Sequence, residues 1–278
     1  VLRARGLTGL ATVTLLAACA ETTLTPGAST PPAVASAAPT VGASRTPAAT
    51  ASPPAATGAP IPGGPSQLVE HGDRSLDEVA LTFTVGYRLD PAIAILESLR
   101  ERGGSATIFM SGVVLDRDET RATARRALAI ISERPDLFQL GQHGYAATEL
   151  SQLDADGIES EILDAERAIG RYVDEDLRPY FSPPGGAWSP EALAILGRLG
   201  YATSVLWDVD PLDWLPPADG GPSTAEIVDR VLGKVQGGSI VLLHLGGWNT
   251  AEALPAILDG LTERGLRTVT VADLLNGD

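Results

Sequence analysis

The alternation that begins at residue 79 limits what this chain can fold into more than any other feature. Short apolar runs at 79–83, 106–110, 137–140, 178–181, 202–207, 239–243 and 267–271 read as strands. Helices are predicted between them over 91–102, 120–133, 154–172 and 251–264, and from Ser189 and Ser223 onward. Their ends are marked: Pro91 starts the first and Gly103-Gly104 stops it, Ser189-Pro190 caps another, and Ser223 with Glu226 makes a capping box. Ile158, Ile162, Ala165 and Ile169 form an apolar stripe with acidic residues between them. Strands this continuously apolar are buried on both faces, which implies a parallel sheet covered by helices. About seven strands in roughly 210 residues predict an α/β fold, a distorted (β/α) barrel of parallel strands in a single domain. A doubly wound open sheet is the alternative. The sequence shows no internal repeat and no glycine-rich nucleotide loop.

The first part of the chain has a different composition. Arg3 and Arg5 precede an apolar run from Leu7 to Ala18, which reads as an export signal and is too short to span a membrane comfortably. Leu16-Ala17-Ala18-Cys19 resembles a bacterial lipobox, and Cys19 is the one cysteine of the chain, so residues 1–19 are expected to be a lipoprotein signal with Cys19 lipidated. Residues 20–66 are rich in Pro, Ala, Thr, Ser and Gly, with Glu21 and Arg45 the only charges, and read as a disordered tether. The folded domain is expected over 67–278. An exported protein, lipid-anchored to a bacterial membrane and facing the envelope or surface, follows from this reading.

Charge narrows the partners. The chain carries a formal −15, which becomes −17 once Arg3 and Arg5 leave with the signal, and Lys234 is its one lysine. Such an acidic chain is a poor partner for nucleic acid.

In α/β folds ligands bind at the carboxyl ends of the strands, and the unusual residues collect there. Thr84-Val85-Gly86 follows the first strand, His143 the third, and Ser182-Pro183-Pro184-Gly185-Gly186 the fourth. Asp208, Asp210 and Asp213-Trp214 follow the fifth, and His244 ends the sixth. Tyr145, Trp188, Trp214 and Trp248 lie on or near the same loops, where aromatic faces would suit sugar rings. His71 precedes this region and reads as incidental.

Five segments in order resemble the motifs of the polysaccharide deacetylases, carbohydrate esterase family four, also called the NodB homology domain. They are Thr82-Phe83-Thr84-Val85-Gly86, Gly141 to Leu150 around His143, Phe181 to Gly186, Trp207 to Trp214, and Ile240 to His244. The resemblance covers most of residues 76–275. It implies a divalent metal, usually zinc, held by one aspartate and two histidines, a second aspartate as base oriented by an arginine, and an aspartate–histidine pair that protonates the leaving amine.

Carried onto this sequence, the base position is Thr84, the arginine position is Ser182, and two of the three metal positions are Val85 and Ala147. Only His143 remains of the metal set, while Asp213 and His244 keep their family positions. Valine has no lone pair to offer and threonine is too weak an acid to serve as a carboxylate base. The expectation is therefore a pseudoenzyme with no cofactor, binding cell-envelope polysaccharide such as peptidoglycan or another N-acetylated glycan, with Tyr145, Trp214 and Gly186 at the binding surface. Two alternatives stay open. One is an active N-deacetylase with a zinc site rebuilt around His143 from Asp213, His244 or Glu149; the other is a structural or partner-binding envelope protein.

Overall fold

The computed structural model describes residues 63–277. The signal-like segment 1–19, with Cys19, and the tether as far as residue 62 lie outside the described residues.

Strands and helices alternate as the sequence requires. The first half holds β1 (Gln67–Val69), β2 (Glu78–Thr84), α1 (Ala92–Arg102), β3 (Ala106–Met110), α2 (Val113–Asp116), α3 (Asp118–Ser132), β4 (Phe138–Gln142) and α4 (Ala155–Ile169). The second half holds β5 (Tyr180–Phe181), α5 (Pro190–Arg198), β6 (Thr203–Val205), α6 (Thr224–Lys234), β7 (Ile240–His244), α7 (Thr250–Glu263), β8 (Arg267–Val269) and α8 (Val271–Asn276).

All the strands pair in parallel, in the order β1-β6-β5-β4-β3-β2-β7. β8 joins the first residues of β2, Glu78 to Ala80, while β3 takes Thr82 to Thr84. The order ends at β1 and β7, and the gap between those ends is spanned in part by the segment after β6: Val209 pairs with Val241, and the Leu242 N–H donates to the Val209 carbonyl at 2.9 Å. A second bridge joins His71 to Ser239. The sheet thus curls into a distorted barrel, and the open doubly wound alternative falls away.

Burial follows the strand period of two. Val79, Leu81, Phe83 and Val85 are fully buried in the large apolar layer between sheet and helices, and Ala80 belongs to a smaller cluster with Phe109, Tyr180, Val205 and Ile240. Thr82 and Thr84 share the register of Ala80 on the barrel's inner face. The helices end as their residues dictate. Gly103 closes α1 at φ 65°, a left-handed position that costs glycine little, and the Ser223–Glu226 box opens α6 with both of its hydrogen bonds.

Three differences from the expectation have local causes. β1 lies at the start of the expected domain without having been read as a strand, and Ser66 just before it, counted with the tether, is fixed by an N–H to the Leu193 carbonyl (2.8 Å) and an Oγ contact with Ser204 (2.7 Å). The fold therefore starts before residue 67, and eight strands replace the seven expected. The strand expected over 178–181 shortens to Tyr180 and Phe181. The last apolar run stops as a strand at Val269, because Thr270 and Asp273 form a capping box that begins α8.

Candidate functional site

Four strand ends bring Thr84, His143, Ser182 and His244 to one mouth. Thr84 closes β2 in register with His244 on β7 and with Phe109 on β3. His143 follows β4 and its backbone N–H donates to Met110 at 3.0 Å; Ser182 follows β5 and donates to Gln142 at 3.0 Å. Thr84, His143 and Ser182 are all buried. The sequence placed these residues at one rim, and the structure assembles them there.

His143 is held by its backbone neighbour. Its Nδ1 lies 2.7 Å from the Ser182 carbonyl, which can only accept, so Nδ1 carries the proton and Nε2 is left as an acceptor. Burial, opposed in part by that hydrogen bond and reinforced by the nearby His244, lowers its pKa to about 4. Near neutral pH it is an uncharged imidazole.

The retained pair is more elaborately built. His244 Nδ1 donates to Asp213 Oδ1 at 2.7 Å, and Oδ2 accepts from the His244 backbone N–H (2.9 Å) and from Thr250 Oγ1 (2.7 Å). Asp213 is wholly buried, and its own carbonyl accepts the Trp248 N–H at 2.7 Å. A side chain at Gly247 would begin 2.1 Å from Thr250 Oγ1 and 2.3 Å from Asp213 Oδ2, so only glycine lets that turn approach the carboxylate. Thr250 and Gly247 carried no signal in the sequence, because each matters only through contact with Asp213. Asp210 lies close by, its carboxyl pushed above the usual range chiefly by burial and further by Asp213.

Other predicted residues play different parts. Tyr145 leaves the mouth: its hydroxyl donates to Asp116 at 3.0 Å and its ring packs beside Gly112, in a hollow shared with Ala168 and Arg171. Gly186, at φ 67°, has the Trp207 ring against it, 3.1 Å from where a Cβ would stand. Trp214 is partly exposed, next to Asp213. Asp208 is structural, accepting from Arg74 (2.9 Å), Ser239 Oγ (2.9 Å) and the Ile240 N–H (2.8 Å) at the opposite end of β7 from His244. Glu149 is exposed, accepts from Gln152 at 2.7 Å and lies against Gly185.

These residues do not fit a catalytic divalent metal, which needs about three protein ligands. Val85 lies in the helix-side core, fully buried, and offers no donor. Ala147 sits at φ 51° in a loop whose Ala146 and Thr148 N–H groups both donate to Glu161 Oε1, at 2.8 and 3.1 Å. Among the described residues no group of three or more His, Cys, Asp or Glu side chains is placed to hold a metal ion.

The loop after β2 also shapes the mouth, which the sequence reading did not foresee. The Tyr87 hydroxyl donates to the Ala146 carbonyl at 2.5 Å, on the loop that follows His143. Arg88 reaches the other way, donating to the Gly246 carbonyl on the loop that follows His244, with its guanidinium 4.0 Å from the Trp248 ring centroid.

Known proteins resemble this chain in sequence and fold. A family model described as polysaccharide deacetylase matches residues 71–204. A peptidoglycan-N-acetylglucosamine deacetylase of Bacillus cereus is 31% identical over 201 residues, covering 71% of this chain and 87% of that protein. The peptidoglycan-N-acetylmuramic acid deacetylase PdaA of Bacillus subtilis is 26% identical, covering 73% of each. Among solved structures, a wild-type CE4 family pseudoenzyme from Bacillus anthracis superposes with a TM-score of 0.65 at 25% identity, covering 75% of this chain and 68% of that one.

Proposed function

We propose that this chain, which belongs to the polysaccharide deacetylase family, is a pseudo-deacetylase that binds cell-envelope glycan without hydrolysing it. Membership follows from the similarity to the Bacillus cereus deacetylase, and the observation that carries the functional reading is the donor set of the mouth. Threonine, valine, alanine and serine stand at the base, two metal and arginine positions of the motifs, and Val85 has been taken into the apolar core. What persists is the Asp213–His244 pair, an uncharged His143 and a rim with Trp214, a surface of hydrogen-bonding groups and an aromatic face. Relatives named for peptidoglycan deacetylation support an N-acetylated glycan as the ligand, and the Bacillus anthracis pseudoenzyme supports catalytic loss within the same fold.

The N-terminal segment completes the proposal. Lipidation at Cys19 and the Pro-, Ala- and Thr-rich segment that follows it would hold the domain outside the membrane, within reach of envelope polymer.

Three measurements on the purified protein test the reading. Elemental analysis is expected to find no stoichiometric zinc, a hexamer of N-acetylglucosamine is expected to release no acetate, and insoluble peptidoglycan or chitin is expected to retain the domain. One equivalent of zinc together with acetate release would overturn the loss of catalysis. Failure to bind either polymer would remove the glycan from the proposal. Cys19→Ala is expected to shift the exported protein from the membrane fraction to the soluble one, and unchanged fractionation would refute the anchor.

A further inference from the structure

Beside the loop that follows β2 lies an open cavity of about 500 Å³, separate from the histidines, between the start of α1 and the first turns of α3. Its size falls within the ~300–1,000 Å³ typical of small-ligand sites. We propose that this cavity is a second sugar subsite, taking a pyranose unit of the glycan chain whose neighbouring units lie over His143 and His244. This rests on the glycan-binding reading above and extends it to a defined place.

The chemistry of the walls suits a sugar. Tyr87 is 54% exposed, the most open of the three large exposed apolar or aromatic side chains among the described residues, with the Arg117 guanidinium 5.6 Å from its ring centroid. Its hydroxyl is pinned to the Ala146 carbonyl, so the ring cannot swing away to bury itself elsewhere. Pro91 and Ile93 add apolar surface. Together they offer what the CH face of a pyranose packs on. Asp90 and Glu119 supply acceptors for ring hydroxyls, and Thr123 adds a hydroxyl that both donates and accepts. Each carboxylate has a guanidinium partner, Arg88 with Asp90 at 3.5 Å and Arg117 with Glu119 at 2.9 Å. Charge in the cavity is therefore balanced locally although the chain is strongly acidic.

The position links this cavity to the mouth. Tyr87 ties the loop to the one that follows His143, and Arg88 ties it to the one that follows His244. A glycan lying across the two histidines would continue past Gly86 to the Tyr87 ring, so that the loop after β2 would border both places.

The test uses the full chain and two probes, the dimer and the hexamer of β-1,4-linked N-acetylglucosamine, titrated by calorimetry. The hexamer is expected to bind more tightly than the dimer because it alone spans both places. Tyr87→Ala should weaken the hexamer roughly five- to tenfold, as loss of an aromatic contact does, and the dimer less. Tyr87→Phe keeps the ring and should keep most of the affinity. Thr123→Arg, which fills the cavity from α3 and leaves the Tyr87 hydrogen bond to Ala146 in place, should act as Tyr87→Ala does. Hexamer affinity unchanged in both Tyr87→Ala and Thr123→Arg, with melting temperatures like the parent's, would overturn the subsite alone. Equal binding of dimer and hexamer, lost together in Trp214→Ala, would also confine the glycan to the mouth and overturn the subsite alone. Binding of neither oligomer by the parent protein would overturn both the subsite and the glycan-binding function.

Discussion

His143 should make the folded domain sensitive to mild acid in a way that one substitution removes. Its ring is buried, its Nδ1–H is committed to the Ser182 carbonyl, and burial holds its pKa at about 4. In the unfolded chain the same imidazole titrates near ~6.5. Because folding lowers this pKa, the contribution is whole above the unfolded value and is lost as pH falls through the window toward the folded one. Between pH 7 and pH 5 the unfolded state takes up nearly one more proton than the folded state. At ~1.4 kcal/mol per pH unit across that window the loss is about 2 kcal/mol, rising to about 3 kcal/mol by pH 4. Urea unfolding of the parent and of His143→Gln at pH 7 and pH 5 measures it. The glutamine cannot titrate, so the variant's loss of stability over this interval should be smaller by about 2 kcal/mol. If the two proteins lose stability equally over the interval, His143 is not the buried neutral group described here. Asp210, whose carboxyl is pushed up by burial, is present in both proteins and drops out of the difference between them.

Other residues give sharp expectations. Gly247→Ala would drive a methyl into Thr250 Oγ1 and Asp213 Oδ2 and should cost about 2 kcal/mol by urea unfolding, with displaced His244 ring resonances. Glu161→Ala removes the acceptor of the Ala146 and Thr148 N–H groups; amide exchange there should accelerate, with about 2–3 kcal/mol of stability lost. Val85→Asp alone should lower stability by at least about 3 kcal/mol and confer no zinc uptake in a titration, because the carboxylate enters the helix-side core without a partner.

The sequence carried the architecture well because strand and helix periods are local properties. Runs such as 79–83 and 239–243 have no polar alternation, and the caps at Ser189 and Ser223 name their own helices. It carried the mouth through four strand ends, since a residue just past a parallel strand has few other places to be. What escaped it depended on contacts distant in the chain. β1 is three residues long in a Gly- and Pro-rich stretch, and its membership in the sheet rests on pairing with β6, well over a hundred residues away. Tyr145 sits two residues after His143 and was expected at the rim, yet Asp116 draws it outward. Tyr87 follows Gly86 directly, but its reach to Ala146 across the end of β3 is a property of the closed barrel.

The pattern of replacements in the mouth has an electrostatic logic. In the family arrangement each buried charge answers another: two carboxylates, a divalent cation and an arginine. Removing one member leaves a buried charge without its partner, which costs several kcal/mol. Here the positions of both carboxylates and of the arginine are uncharged, so no such orphan is created at Thr84, Val85 or Ser182. The groups that remain find their partners within the protein. His143 has the Ser182 carbonyl, and Asp213 has His244 and Thr250. Hydrogen bonds among the strand ends and the loops that follow them give this mouth an order of its own. A glycan would then meet a surface organised without a cation, and its binding would be independent of metal concentration, in contrast to a deacetylase whose substrate carbonyl must reach an ion.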